Sequence, residues 1–418
     1  MELITLENGT RIALEPRSEA LSAAINIFVG CGSYSETEPD WGCAHFLEHM
    51  LFKGSEKYTS REIAAITDMF GGNINAYTTK EYTCYFARVL PEHLGDMMDV
   101  MCDMVTKPRL DDGSIATEKG VIIEEIGMYE DSPEDLGFDL LGNAVWQGST
   151  LAHPILGTRQ TVSEVTSESL RQFYEQNYTP SKTVVSICGK FDKDAVVGKL
   201  RQTFGAKEPI GGEMEIVNAE FYPEWILHKK DTEQSHVFLS FPGVSMDNDM
   251  RYAVALFTEI TGGGASSRLY LKIREELGLV YNTYAYNTSY LGCGTFGLWA
   301  ALSHGNQRQF IEESLKILDE MRNFDNEDEL YRVKQQFKAN TVMGSESTSG
   351  TASSIGKQIL LKNEYIDAEA TARLIDSVTA EQIRKVANMF FDIDNLAICV
   401  VGKPEKKEFY EKIIGKYR

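Results

Sequence analysis

A stretch of this chain occurs twice. Val165-Thr166-Ser167-Glu168-Ser169-Leu170-Arg171 returns as Val378-Thr379-Ala380-Glu381-Gln382-Ile383-Arg384, and the strand ending Cys188-Gly189-Lys190 returns at Val401-Gly402-Lys403, both at an offset of 213 residues. A period that long is a duplicated domain rather than a solenoid repeat. It matches the length, because 418 residues exceed one ordinary core and suit two domains of about 200 residues each. Residues 205–218 are rich in Gly, Pro and charge and read as the connection, which sets the expected domains at 1–208 and 222–418 with a linker at 209–221. Each half mixes strand and helix patterns. The expected fold class is α+β, two duplicated α/β-sandwich domains, each a mostly antiparallel sheet with helices packed on one face.

Composition excludes several function classes. With 43% apolar and 25% charged residues the chain is an ordinary globular protein. Its net charge of −21 offers no basic excess to neutralise phosphates, so nucleic acid is not an expected partner; the charge reads either as that of a generic acidic protein or as a field that steers basic peptides. No apolar run reaches membrane-spanning length, and neither a secretory nor a transit pattern opens the chain, so no membrane and a cytoplasmic location are expected. Seven scattered cysteines without a C-x-x-C pair read as buried thiols in a reducing compartment.

In chain order, residues 1–6 read as a strand entering a turn at Asn8-Gly9, and residues 22–30 as a buried strand. Next comes Ala44-His45-Phe46-Leu47-Glu48-His49-Met50. As a helix it places His45 and His49 one turn apart on one face with Glu48 beside them, within an otherwise apolar segment. Such groups need a partner, and zinc satisfies two imidazoles at this spacing. The order H-x-x-E-H is the inverted zinc-peptidase signature: imidazoles hold a metal that activates water, and the carboxylate is the base.

A capping box of Thr59 and Glu62 starts a helix closed by Gly71-Gly72, residues 73–90 alternate as two strands, and helices follow at 95–105 and 117–129. On the last of these, Glu118 and Glu125 are seven residues apart and share a face. A catalytic zinc takes three protein ligands and keeps one position open, and Glu125 is the natural third, with Glu124 turned about 100° away. Glu118 is placed to hydrogen-bond a ligating histidine or the metal-bound water.

Together these residues resemble the pitrilysin and insulinase-type zinc peptidases, in the processing-peptidase-like branch. The resemblance rests on His45 to Met50, Phe52-Lys53-Gly54, Gly71-Gly72, Asn75-Ala76, Glu118 and Glu124-Glu125, and continues at Gly262 to Leu269 and Arg274 to Tyr281. In that family the third ligand lies 76 positions after the second histidine, which is Glu125 here. The resemblance implies a zinc metalloendopeptidase with one Zn2+ per chain, metal ligands His45, His49 and Glu125, and catalytic residues Glu48 and Glu118. It further implies substrate binding by Asn75, Ala76, Arg274 and Tyr281, and two halves that enclose a chamber for peptides or unfolded segments. A homodimer is the expected assembly, since one chain carries both the metal motif and the Arg274–Tyr281 pair; a heterodimer with a related subunit is the other arrangement. The competing functional class is a non-catalytic partner subunit, although such subunits usually lose a ligand or the base.

Read from the residues alone, Arg274 and Tyr281 are a helix-end cation and a strand aromatic, and Asn73 to Tyr77 is either an edge strand that accepts a peptide backbone or an ordinary interior strand. Gly262-Gly263-Gly264 lacks the ending of a phosphate loop and reads as a helix-ending turn. His93, His153, His228, His236 and His304 stand outside ligand spacing and read as surface or hydrogen-bonded core residues. At 152–157 the chain is shorter than the family pattern, and no role is carried over there. In the second half the metal helix corresponds to 251–262, which carries neither histidine, and the Glu125 position falls on Asn340 at an offset of 215.

Overall fold

The structure is a computed structural model that describes the whole chain except Ile210 and Glu213, both within the expected linker. The chain runs through strands β1 (Glu2–Thr5), β2 (Arg11–Pro16) and β3 (Ala23–Val29), helices α1 (Cys43–Leu51) and α2 (Ser60–Met69), strands β4 (Asn73–Thr78) and β5 (Thr83–Val89), and helices α3 (Leu94–Thr106), α4 (Asp112–Asp131), α5 (Pro133–Val145), α6 (Arg159–Glu164) and α7 (Ser167–Asn177). Strand β6 (Thr183–Gly189) and helix α8 (Lys193–Thr203) follow. The described residues from 207 to 224 form neither helix nor strand. Beyond them come β7 (Trp225–Lys229), β8 (Ser235–Pro242), α9 (Arg251–Thr258), β9 (Val280–Ser289), β10 (Gly294–Leu302), α10 (Gln307–Met321), α11 (Glu327–Glu346), α12 (Thr348–Lys362), α13 (Ala368–Asp376), α14 (Ala380–Phe390), β11 (Ala397–Gly402) and α15 (Lys407–Ile414). Two π-helical turns, Glu259–Gly263 and Tyr270–Glu276, lie between α9 and β9.

These elements form two compact units. The first comprises Met1–Ile126, His153–Glu215 and Met343–Ile366; the second comprises Gly127–Ala152, Ile216–Val342 and Asp367–Arg418.

In the first unit the sheet order is β1-β2-β6-β3-β5-β4, antiparallel except where β2 pairs with β6. Side chains alternate across a strand. Ile25, Ile27 and Val29 therefore share one core with Phe46 and Leu47 of α1, Met97 and Met101 of α3, Leu170 of α7 and Leu200 of α8. The opposite face, with Ala24, Phe28, Ser186 and Cys188, is covered by α12: Ala352 packs on Ala24 and Cys188, and its carbonyl accepts the Ser186 hydroxyl at 2.7 Å. Cover on both faces explains why every residue of β3 and β6 is buried and why neither strand shows a polar alternation. Strand β4 pairs with β5 and is the edge of the sheet.

The second unit repeats this plan with sheet order β7-β11-β8-β10-β9, parallel only at β7 and β11. Val237, Leu239 and Phe241 meet α9, α10 and α14 in its core. On the other face Phe138 of α5 packs edge-on against Phe238 and Tyr286 at centroid distances of 5.0 and 5.2 Å. The duplication survives in small details. Thr166 and Thr379 both close capping boxes, Gly189 and Gly402 end their strands at φ 130° and 129°, and α4 and α11 are each 20 residues long. Among the described residues no helix is long and apolar enough to cross a membrane. None of the seven cysteines is in a disulfide, and six are buried while Cys293 is partly exposed.

Helix α12 lies on its sheet through a glycine. A Cβ built on Gly356 would stand 2.4 Å from the Phe28 ring and 2.5 Å from Ser186 Oγ. Gly356→Val is therefore expected to cost about 1–3 kcal/mol through overpacking, read as a lower urea midpoint. An unchanged midpoint would show that α12 does not bear on the sheet.

Candidate metal centre

Helix α1 starts abruptly. Its N-cap is Gly42 at φ 94°, which provides no side chain to cap the first turn. The missing acceptor comes from Glu36 in the preceding loop: Oε2 accepts the Gly42 N–H at 2.8 Å and Oε1 the Ala44 N–H at 2.7 Å. Glu36 is only 1% exposed, and burial pushes its pKa up against the opposing pull of those two amides and of His153, whose Nε2 lies 2.9 Å from Oε2. A carboxylate at this end also answers the positive pole of the helix. The His153 ring is stacked on Trp41, with centroids 5.1 Å apart and planes 8° from parallel.

The turn so fixed carries His45, with Glu48 and His49 following. Phe46, Leu47, Met50 and Leu51 go into the core. His45 is buried, and burial followed by the neighbouring His49 charge pushes its pKa down to about 3, so the imidazole is neutral near pH 7 with a lone pair to offer. The two rings meet at 4.6 Å.

Helix α4 delivers the carboxylates. Ile115, Glu118, Ile122 and Ile126 form its buried stripe, so Glu118 stands among apolar neighbours while Glu125, two turns on, is partly exposed. Glu125 Oε2 lies 3.7 Å from His45 Nε2 and 3.5 Å from His49 Nε2. Both distances exceed a hydrogen bond. They fit a shared ion: ligands about 2.1 Å from a tetrahedral zinc stand roughly 3.4 Å apart. Among the described residues, His45, His49 and Glu125 are the group whose ligand atoms gather within 4.8 Å. The donor set of two imidazoles and one carboxylate suits a zinc with an open position.

Behind the ligands, Glu118 Oε1 lies 2.9 Å from His49 Nδ1 and Oε2 2.5 Å from Lys53 Nζ. That arrangement holds the Nδ1–H tautomer of His49 and leaves its Nε2 free to bind metal. His45 is treated differently: its Nδ1 is buried with no hydrogen-bond partner among the described residues. Glu48 accepts the Thr78 hydroxyl at Oε2, and burial raises its pKa, with Glu125 adding to the shift while Thr78 and His49 oppose it.

Five of the sequence-derived residues, His45, Glu48, His49, Glu118 and Glu125, thus converge in the first unit. Asn75 and Ala76 lie on the edge strand β4, where Asn75 Oδ1 accepts the Ala76 N–H at 2.9 Å. Arg274 and Tyr281 belong to the second unit and form a stack of their own. The Arg274 guanidinium lies 4.7 Å from the Tyr270 ring centroid and 5.2 Å from that of Tyr281, which is 80% exposed. Sequence reasoning missed Glu36 and Thr78, quoted Lys53 only as part of a motif without a role, and read His153 only as a generic core or surface histidine. Glu36 had one local signal, an acidic residue shortly before a helix whose own N-cap is glycine.

The sequence matches the family model for insulinase (peptidase family M16) over residues 11–159 and that for the peptidase M16 inactive domain over residues 164–337. An uncharacterized zinc protease of Bacillus subtilis is 36% identical over 393 residues, spanning 93% of this chain and 95% of that one. Another from Streptomyces coelicolor is 36% identical over 394 residues, spanning 92% and 85%. The fold is similar to the crystal structure of a protease from Helicobacter pylori, with a TM-score of 0.88 at 19% identity over 96% of this chain and 99% of that one.

Two outcomes follow from this geometry. Glu118→Gln should weaken metal retention by about 10- to 100-fold, measured by chelator competition; unchanged retention would remove Glu118 from the support of His49. Glu36→Ala leaves buried N–H groups without an acceptor and should cost at least about 2 kcal/mol, read as a lower melting temperature, which must not occur if the carboxylate is incidental to the helix.

Proposed function

The chain belongs to the insulinase family of peptidases, M16, and from that premise we propose that it is a zinc-dependent endopeptidase acting on peptides or unfolded polypeptide segments. One observation carries the reading: the three ligand atoms of His45, His49 and Glu125 gather within 4.8 Å, and the carboxylate of Glu48 interacts with His49 and Glu125. Bound zinc would supply Lewis acidity toward the scissile carbonyl and toward water.

The chain's own groups do the rest. Glu48 takes the proton of the attacking water and returns it to the leaving amine. Burial keeps His45 neutral, and Glu118 holds the His49 ring in place. The open edge of β4 offers main-chain hydrogen bonds to an extended peptide, which requires no particular side-chain sequence. Taking that edge requires the Asn75 side chain to give up the Ala76 N–H.

Arg274 and Tyr281 are assigned to substrate binding on the strength of the motif they belong to. Within this proposal residues 1–208 carry the chemistry and residues 222–418 serve substrate. The net charge of −21 favours basic peptides. A homodimer with one zinc per chain is the proposed assembly, and free thiols throughout suit a reducing compartment such as the cytoplasm.

Glu48→Gln should retain zinc while losing about 10²- to 10⁴-fold or more in cleavage of an unstructured peptide. The wild type should bind zinc and lose activity to a chelator. Cleavage by Glu48→Gln at the wild-type rate would overturn the assignment.

A further inference from the structure

We propose that Thr78 is a positioning residue for Glu48, holding the carboxylate by one oxygen so that the other is presented for proton transfer; this rests on the peptidase reading above.

A glutamate on a helix has several rotamers, and a general base works from only one narrow placement. Helix α1 fixes the Glu48 backbone but not its side chain. The Thr78 hydroxyl lies 2.5 Å from Glu48 Oε2, the length of a charge-assisted O–H···O bond. Oε1 accepts no hydrogen bond among the described residues. One oxygen is anchored and the other is available.

Thr78 is itself held from three directions. As the last residue of β4 it faces Thr83, the first residue of β5, across the ladder. The turn between them closes through Thr79, whose N–H and hydroxyl both donate to the Tyr82 carbonyl at 2.8 and 2.9 Å. The carbonyls of Thr79 and Lys80 then accept the Ser33 and Tyr34 N–H groups at 3.1 and 2.8 Å. This approach is so close that a Cβ on Gly32 would stand 2.3 Å from the Thr79 oxygen.

The direction of the hydrogen bond follows from the acceptor: an ionised carboxylate has no proton to give, so the Thr78 hydroxyl donates to it. Thr83, which is fully buried, gives its own hydroxyl proton to the Cys31 carbonyl at 2.9 Å. Its oxygen, 3.3 Å from Thr78 Oγ1, is the weaker of the two acceptors that Thr78 meets. The strand proposed to receive the substrate backbone thus also orients the base that activates the attacking water.

The test compares Thr78→Val, which keeps the shape and removes the hydroxyl, with Thr78→Ser, which restores it. Cleavage of an unstructured peptide by zinc-loaded enzyme and crystal structures of wild type and Thr78→Val are the two readouts. Thr78→Val should lose about 10- to 100-fold in kcat with KM and zinc content unchanged; Thr78→Ser should recover most of the loss, and the Glu48 carboxylate should leave its wild-type position in Thr78→Val. A wild-type kcat in Thr78→Val, a loss confined to KM, or equal losses in both variants would overturn the proposal, because Thr78 would then serve the strand and not the base. If Thr78→Val does not fold, Thr78→Ala is judged by the same criteria. If the wild type cleaves no peptide, the peptidase reading fails separately, and the crystal structures decide Thr78: a displaced Glu48 supports the proposal and an unmoved one overturns it.

Discussion

A buried carboxylate at the head of one helix sets the rest of the site in place. Two histidines one turn apart can meet a glutamate from another helix only if the first turn cannot fray, and a helix that starts at a left-handed glycine has no cap of its own. Glu36 closes that turn by taking the Gly42 and Ala44 N–H groups, and it is in turn held by His153, a residue distant in sequence. The backbone around this cap is packed to the limit: a Cβ on Gly42 would stand 2.6 Å from the Leu156 oxygen, and one on Gly157 2.4 Å from the Trp41 oxygen. Each buried N–H would cost about 1–3 kcal/mol if left without an acceptor. The first turn is thereby rigid, and His45 sits in it.

Two helices then divide the labour by depth. The buried stripe of α4 brings Glu118 behind His49, and the partly exposed position two turns on brings Glu125 in front. Glu118 would be a costly buried charge on its own. Lys53, two residues past the end of α1, lies against its other oxygen, so Glu118 is held between His49 of α1 and the turn that follows α1. His45 gets its neutrality from burial instead of from a partner. Placement of the proposed ligands is thus a property of the packing of α1 and α4.

Much of this was legible in the sequence because it is periodic. A spacing of four puts His45 and His49 together, a spacing of seven puts Glu118 and Glu125 together, and the capping box at Thr59 marks a helix start, all from neighbours along the chain. What the sequence did not reveal depends on partners distant in sequence. His153 finds Glu36 across 117 residues, and Thr78 finds Glu48 across 30 through a strand register that no local pattern encodes. Nor does any local signal say that α5 lies on the second unit's sheet and α12 on the first's. The cue is only indirect: β3 and β6 carry no polar face, so something must cover both sides.

The second unit shows which parts of the first belong to the fold and which do not. Its five strands repeat the order of β2-β6-β3-β5-β4 without a counterpart of β1, β11 ends with the same left-handed glycine as β6, and α14 starts with the same capping box as α7. The second unit does so with Asn340 at the register of Glu125 and with no histidine in α9. A scaffold that forms without ligands does not need a metal to fold. The buried imidazole of His45 and the buried carboxylate of Glu118 are therefore costs that the architecture does not require of itself. In the proposed peptidase these polar groups, which the second unit does not repeat at the matching positions of α9 and α11, serve the chemistry.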